Sequence, residues 1–150
     1  MIPMSISDVL SEDMIMTEVK VDTKRHLLAE IADFAAEKSG LDKNTVFEAL
    51  LERENLGSTG YGNGVAFPHA RINGLKHIVT GFARLSAPLD YDAADRQPVD
   101  MVAFMISPEN SGDDHLKTLA AFSRILKNRD ICKEIRAAKG VHDIYLTLQK

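Results

Sequence analysis

The chain has 150 residues, 45% of them hydrophobic and 27% charged, with a net charge of -4 and one cysteine. That is the composition of a soluble globular protein long enough to bury a sizeable core in a single domain spanning residues 1–150. It excludes a basic nucleic-acid footprint, a membrane-spanning apolar run, an internal disulfide and a Cys-pair zinc site. Met1-Ile2-Pro3-Met4-Ser5 has neither the basic region nor the apolar core of a signal peptide, so the expected compartment is the cytoplasm.

In chain order, Ser5 to Leu10 reads as a short helical turn, and Thr17 to Val21 alternates apolar with polar residues like a strand. Asp22 or Thr23 can cap a helix that turns Leu27, Leu28, Ile31, Phe34 and Ala35 inward and stops at Gly40. Asp42 opens a second helix, with Val46, Phe47, Leu50 and Leu51 inward, running into Glu52-Arg53-Glu54. A glycine-rich loop from Gly57 to Gly64 follows, then the short strand Val65-Ala66-Phe67. After a turn at Asn73-Gly74, Ile78 to Leu85 is a strand and Ala87 to Gln97 a polar connection. Val99 to Ile106 is nearly all apolar, as a central strand covered on both faces must be. Ser107 to Gly112 reads as a loop. Asp113 or Asp114 then caps a helix bearing Leu116, Leu119, Phe122 and Leu126 at roughly helical spacing. Two short helices, Asp130 to Lys139 and His142 to Leu148, end the chain, with Cys132 a small residue of the first. The mixture specifies the α/β class: a mixed β-sheet flanked by helices on both faces.

The chemistry concentrates at Leu56 to Arg71. Four glycines in the eight positions 57–64 allow positive φ and close backbone approach to a ligand. Pro68 has no N–H for a sheet ladder and pushes Phe67 toward extended geometry, so His69 is presented where the chain leaves a strand. A histidine in such a place can accept a phosphoryl group, ligate a metal or act as a general base. For phosphoryl transfer the imidazole is a nitrogen nucleophile that is neutral near pH 7. Loop amides can form an anion nest, and a guanidinium fork matches phosphate oxygens. Arg53 is close enough in sequence to fold over the loop, although it is also a plausible solvated helix-end residue between Glu52 and Glu54. Arg71 joins His69 only if one strand runs through both. His115, near a helix N-terminus, is disfavoured as an imidazolium, leaving a neutral ring with one hydrogen to donate; a merely local cap is the alternative. His26, His77 and His142 read as surface or core-edge residues. The loop is no P-loop, because no Lys-Ser or Lys-Thr follows its last glycine, and its spacing is wrong for a dinucleotide fingerprint. A metal held by His69, His115 and Asp113 lacks any HxH or HExxH pair, so no metal is expected.

The segment from Gly57 to His69, with its Gly-Asn-Gly-x-Ala-x-Pro-His core, resembles the phosphorylation segment of the enzyme IIA domains of the fructose/mannitol class of the bacterial phosphotransferase system. The likeness is strongest to the nitrogen-type enzyme IIA. It continues through Phe82 to Leu89, Gln97 to Asp100, His115 to Leu119 and Asp130 to Ala138, nearly the whole chain. It departs at the acidic loop Pro108 to Asp114 and at Ala70-Arg71, where Gly-Lys is frequent. The resemblance implies that His69 is the phospho-acceptor through Nε2, that His115 and Arg53 complete the catalytic group, and that Gly57, Ser58, Thr59 and Gly64 belong to the phosphate pocket. It implies a nitrogen-type histidine phosphocarrier protein as donor, regulatory target proteins as partners, no cofactor, no nucleic acid and no membrane insertion. The alternative it leaves open is a sugar-specific enzyme IIA that passes the phosphate to an enzyme IIB.

Overall fold

The computed structural model describes residues 5–150; Met1–Met4, part of the segment read above for a leader, lie outside them. After two 3-10 turns, the elements are β1 (Ile15–Val19), α1 (Lys24–Ser39), α2 (Lys43–Leu56), β2 (Gly60–Gly62), β3 (Val65–Ala66), β4 (His69–Ile72), β5 (Val79–Leu89), β6 (Val99–Pro108), α3 (Asp113–Leu126), α4 (Arg129–Ala137) and α5 (Val141–Leu148). The strands form one mixed sheet in the order β1-β5-β6-β3-β2, with β4 also paired to β6. The expected class, helices on both faces of a mixed sheet, is the observed one.

The apolar run that forms β6 is the reason. A strand sends alternate side chains to opposite faces, and here each set meets its own core. Val102, Phe104 and Ile106 pack with Leu27, Leu28, Ile31, Val46 and Leu50 of α1 and α2. Met101, Ala103 and Met105 pack with Phe122, Leu126, Ile135, Ile144 and Leu148 of α3, α4 and α5. Burial on both faces explains why this strand shows no polar alternation. β5 runs antiparallel to it, while β3 and β4 run parallel to it. Among the described residues no helix is long and apolar enough to cross a membrane.

Several local expectations are realised. Thr23 caps α1 by accepting from the His26 N–H, and Asp42 caps α2 by accepting from Thr45. Gly40 takes the left-handed conformation, φ 76°, at the end of α1. Others are corrected. The run 57–64 is not one loop: Gly60–Gly62 pairs antiparallel with Val65–Ala66. Asn63 and Gly64 turn the hairpin at φ 58° and 81°, two positive values in succession as a two-residue I′ turn requires. Ala87 to Gln97 is not wholly a polar connection, since β5 continues to Leu89, and Tyr91 and Ala93 are buried. Ser107 and Pro108 extend β6 rather than beginning a loop. Neither Asp113 nor Asp114 caps α3; Gly112 holds the N-cap position, and both aspartates sit in the first turn, where the dipole still favours them. Leu116 is 62% exposed because His115 occupies the inward place one residue earlier.

Gly81 faces Phe104 across the β5–β6 ladder, and a Cβ there would lie 2.1 Å from the ring's Cζ. Gly81→Ala is therefore expected to lower stability by about 1–3 kcal/mol, read as a lower urea midpoint. Lys133→Ala on the exposed surface of α4 should stay within about 0.5 kcal/mol of the parent.

Candidate functional site

The site begins with an interruption in the sheet. Residues 65–72 run alongside β6, Val65 opposite Met101 and His69 opposite Met105, with Phe67 and Pro68 between the two short strands. Pro68 cannot donate to the ladder, but its carbonyl accepts from the Met105 N–H at 3.2 Å, and the Phe67 N–H turns away to the Thr59 carbonyl at 3.0 Å. The Phe67 carbonyl is thereby free to accept from His69 Nδ1 at 2.8 Å. A carbonyl can only accept, so Nδ1 carries the hydrogen and the neutral ring keeps its lone pair on Nε2. The Phe67 ring meets the His69 ring edge-on, with centroids 5.8 Å apart, and is itself held edge-on by Phe122 at 5.3 Å. The half-buried imidazole is oriented from two sides.

β4 alternates half-buried His69, buried Ala70, exposed Arg71 and buried Ile72. The condition set for Arg71 is thus met: one strand runs through both residues and they share a face. Arg71 donates to the Glu109 carbonyl at 3.2 Å and to Ser111 Oγ at 3.3 Å. Arg53, in the last turn of α2, donates from Nη1 to the Gly57 carbonyl at 2.8 Å, which folds it over the loop as its sequence position suggested.

His115 is buried in the first turn of α3 and pairs through Nδ1 with Ser107 Oγ at the end of β6. The Ser107 hydroxyl is fully buried and has no other partner among the described residues. A buried O–H needs an acceptor, so it donates to Nδ1 and the neutral His115 ring carries its hydrogen on Nε2. The two ring centroids lie 5.8 Å apart. One imidazole therefore has a lone pair at Nε2, and its neighbour has a hydrogen there.

His69 and Arg53 line two concavities. The larger, about 470 Å³, is also lined by Ala49, Glu52, Leu56, Arg71, Glu109 and His115. The smaller, about 280 Å³, holds Ser58, Thr59, Phe67, Leu119 and Ser123. A third hollow of about 470 Å³, lined by Asp8, Lys76, His77 and Asp114, contains neither ring. His69 is held below its ordinary pKa, chiefly by burial and then by Arg53 and Arg71, against the opposing pull of the Phe67 carbonyl and Glu54. Burial, Arg71 and His69 together push His115 down to about 4. Both rings are neutral at pH 7. Among the described residues, no three His, Cys, Asp or Glu side chains converge on a metal position.

Not every residue drawn from the loop faces this site. Ser58 and Thr59 do; Gly57 forms the rim, where its carbonyl takes Arg53. Gly64 lies elsewhere: a Cβ there would stand 2.4 Å from Arg136 Nη2, beside the Arg136–Asp100 ion pair. Four of the loop's amides are already engaged within the fold. The N–H groups of Gly57, Thr59, Gly60 and Asn63 donate to Glu54 O, Glu54 Oε1, Ser58 Oγ and Asp95 Oδ2 respectively. The donors that face the larger concavity are side chains. His26, His77 and His142 are exposed, in line with their reading as surface residues, and Cys132, readable as core or surface, is buried in the core.

Residues 8–150 match the family described as the phosphoenolpyruvate-dependent sugar phosphotransferase system, EIIA 2. The chain belongs to this EIIA family. It is 43% identical over 145 residues to a nitrogen regulatory protein of Bradyrhizobium diazoefficiens, covering 97% of this chain and 95% of that one. It is 35% identical over 143 residues to the nitrogen regulatory protein of Escherichia coli, covering 95% and 88%. Its fold superimposes on the crystal structure of nitrogen regulatory protein IIA-Ntr from Neisseria meningitidis with a TM-score of 0.90, at 31% identity and 95% and 98% coverage. This EIIA chain is of the nitrogen regulatory type and a component of the phosphotransferase system. Arg71 and Ser107 were the members of the site that sequence reading left open or missed. The period-2 pattern carried the signal for Arg71; none was available for Ser107, which lies at the end of an otherwise apolar strand.

The depressed pKa of His115 has a stability consequence with a fixed sign. Between about pH 6.5, where an unfolded histidine titrates, and about pH 4, where His115 titrates, the unfolded chain binds more protons. Stability therefore falls as pH falls through that window, and His69 contributes in the same sense. Denaturant midpoints at pH 7, 6 and 5 should decline in the parent and decline less in His115→Gln, while the His115 ring resonance stays that of a neutral imidazole at pH 5.

Proposed function

We propose that this EIIA chain carries a phosphoryl group on Nε2 of His69. The group comes from a phosphohistidine of the small histidine phosphocarrier protein of the nitrogen-type system. The phosphorylation state then selects among regulatory target proteins in the cytoplasm. The observation that carries this reading is the His69 Nδ1–H bond to the Phe67 carbonyl, which leaves the Nε2 lone pair beside Arg53, Arg71 and His115. In the transfer, the Nε2 lone pair forms the new N–P bond as the donor's N–P bond breaks, and the donor imidazole leaves with that electron pair. The His69 hydrogen stays on Nδ1, where Phe67 holds it. Phosphoryl transfer depends on alignment and on neutralising the equatorial oxygens. Arg53 and Arg71 supply positive charge, and His115 supplies its Nε2–H as a neutral donor. A neutral ring fits this role, since it steadies the passing group without binding it irreversibly.

The surroundings fit a protein partner. Leu56 and Leu116, the most exposed large hydrophobic residues among those described, are 82% and 62% exposed. Leu56 lines the larger concavity, and Leu116 follows His115 directly. Apolar side chains beside a charged pocket suit docking of a macromolecular donor better than entry of a small sugar phosphate. The phosphoryl group adds about -1.5 to -2 charges by analogy with other phosphorylated side chains, which would make the pocket more negative and so change what docks there.

The test uses phosphoenolpyruvate, enzyme I and the phosphocarrier protein. The parent should gain acid-labile phosphate and His69→Ala should gain none; labelled His69→Ala would refute the assignment. Arg53→Met should slow uptake by about a hundredfold, the scale of losing one preorganised donor. Arg53→Lys should not restore it, because an ammonium lacks the guanidinium fork. Appearance of the label on an enzyme IIB and then on a sugar would favour the sugar-specific alternative.

A further inference from the structure

Behind the pocket, and outside every role described so far, lies a buried carboxylate. Glu54 follows Arg53 in the last turn of α2, but its side chain is only 2% exposed. Its Oε1 accepts from Lys24 Nζ and from the Thr59 N–H, both at 3.1 Å, and its Oε2 accepts from Thr59 Oγ1. Thr59 Oγ1 in turn accepts from the Tyr91 hydroxyl at 3.0 Å. Lys24 lies over the Tyr91 ring, 4.5 Å from its centroid. Burial and the nearby carboxylate keep the Tyr91 hydroxyl protonated, so the order of donation is fixed: Tyr91 to Thr59 to Glu54.

A buried ion pair is a weak device for stability, because desolvation offsets most of the attraction. Apolar residues of the same volume would hold α1 against α2 as well. What the cluster does that they could not is grip Thr59 at two points. From Thr59 the hydrogen bonds lead to the site. The Thr59 carbonyl accepts from the Phe67 N–H at 3.0 Å, and the Phe67 carbonyl accepts from His69 Nδ1–H at 2.8 Å.

We infer that Glu54, neutralised by Lys24 and backed by Tyr91, is a positioning residue for the His69 imidazole, acting through Thr59 and Phe67. This deepens the proposed role of His69 and rests on it for the rate effect, but not for the effect on the ring. With Thr59 anchored, Phe67 is held with its carbonyl toward the ring, and the Nδ1–H tautomer with Nε2 outward is the ground state. With the anchor loosened, Phe67 can shift, the ring samples other rotamers and the Nε2–H tautomer, and the reactive lone pair is misaimed. The Glu54 charge also lies close enough to raise the pKa of His69.

The test compares the parent with Glu54→Gln and with the double variant Glu54→Gln/Lys24→Met, which removes both charges together so that no unpaired ammonium is left buried. In each, 15N-labelled histidine reports the His69 tautomer and its titration midpoint, and no partner protein is needed. Single-turnover transfer from the phosphorylated phosphocarrier protein reports the rate. The double variant should keep a melting temperature near that of the parent. It should nevertheless show a mixed His69 tautomer, a lower His69 midpoint and transfer slowed about ten- to a hundredfold, the scale of a small misplacement of a reacting group. A double variant with the parental tautomer, midpoint and rate would overturn the inference and leave the cluster a mere structural ion pair. A parent that takes up no phosphate would count against the proposed function alone, and the ring measurements would still decide the positioning role.

Discussion

The hydrogen bond from His69 Nδ1 to the Phe67 carbonyl is the constraint on which the site depends. It is a bond between residues two apart, available because the sheet is broken between β3 and β4. An uninterrupted strand would commit its backbone groups to the ladder and send the His69 side chain straight out from the pleat. Pro68 makes the break without cost to the ladder, since it has no N–H to leave unpaired and its carbonyl still reaches Met105. One proline thus accounts both for the half-buried position of the ring at the break and for the tautomer it adopts.

The second imidazole is set by the same means with the opposite result. Ser107 donates to Nδ1 of His115, so this ring carries its hydrogen where the other carries a lone pair. Burial and the neighbouring guanidinium keep it from taking a second proton at neutral pH. Two residues of one type thereby acquire complementary hydrogen-bonding character at Nε2, one an acceptor and one a donor, through the choice of an acceptor or a donor behind each. The chain as a whole is acidic, yet its concavity gathers Arg53 and Arg71. Glu52 and Glu109 line the same concavity, so the two guanidiniums act there as directed donors and not through a net positive charge.

Much of this could be read from the residues because it rests on local rules. The proline, the glycine at the end of α1, the caps at Thr23 and Asp42 and the apolar β6 are each determined within a few positions of the chain. Arg53 could be placed because it stands four positions, about one helical turn, before Gly57. The errors came where distant segments decide. Reading four glycines as one loop hid an Asn63-Gly64 hairpin, although that dipeptide between short extended segments is itself a hairpin signal. Four amides of the expected nest are engaged by Glu54, Ser58 and Asp95, and no pattern along the chain brings Asp95 to Asn63. Tyr91 sits among polar neighbours in sequence and is fully buried in the fold. Leu116 shares a roughly helical spacing with Leu119, Phe122 and Leu126 but lies one residue out of phase with His115, the residue that the core accepts.

The most direct measurement of the central claim is the one-bond coupling between phosphorus and nitrogen in the phosphorylated protein with 15N-labelled histidine. The account predicts a single phosphohistidine, coupled through Nε2 of His69, with Nδ1 still protonated and hydrogen-bonded. Coupling through Nδ1 of His69, or phosphorus on another histidine, would contradict it.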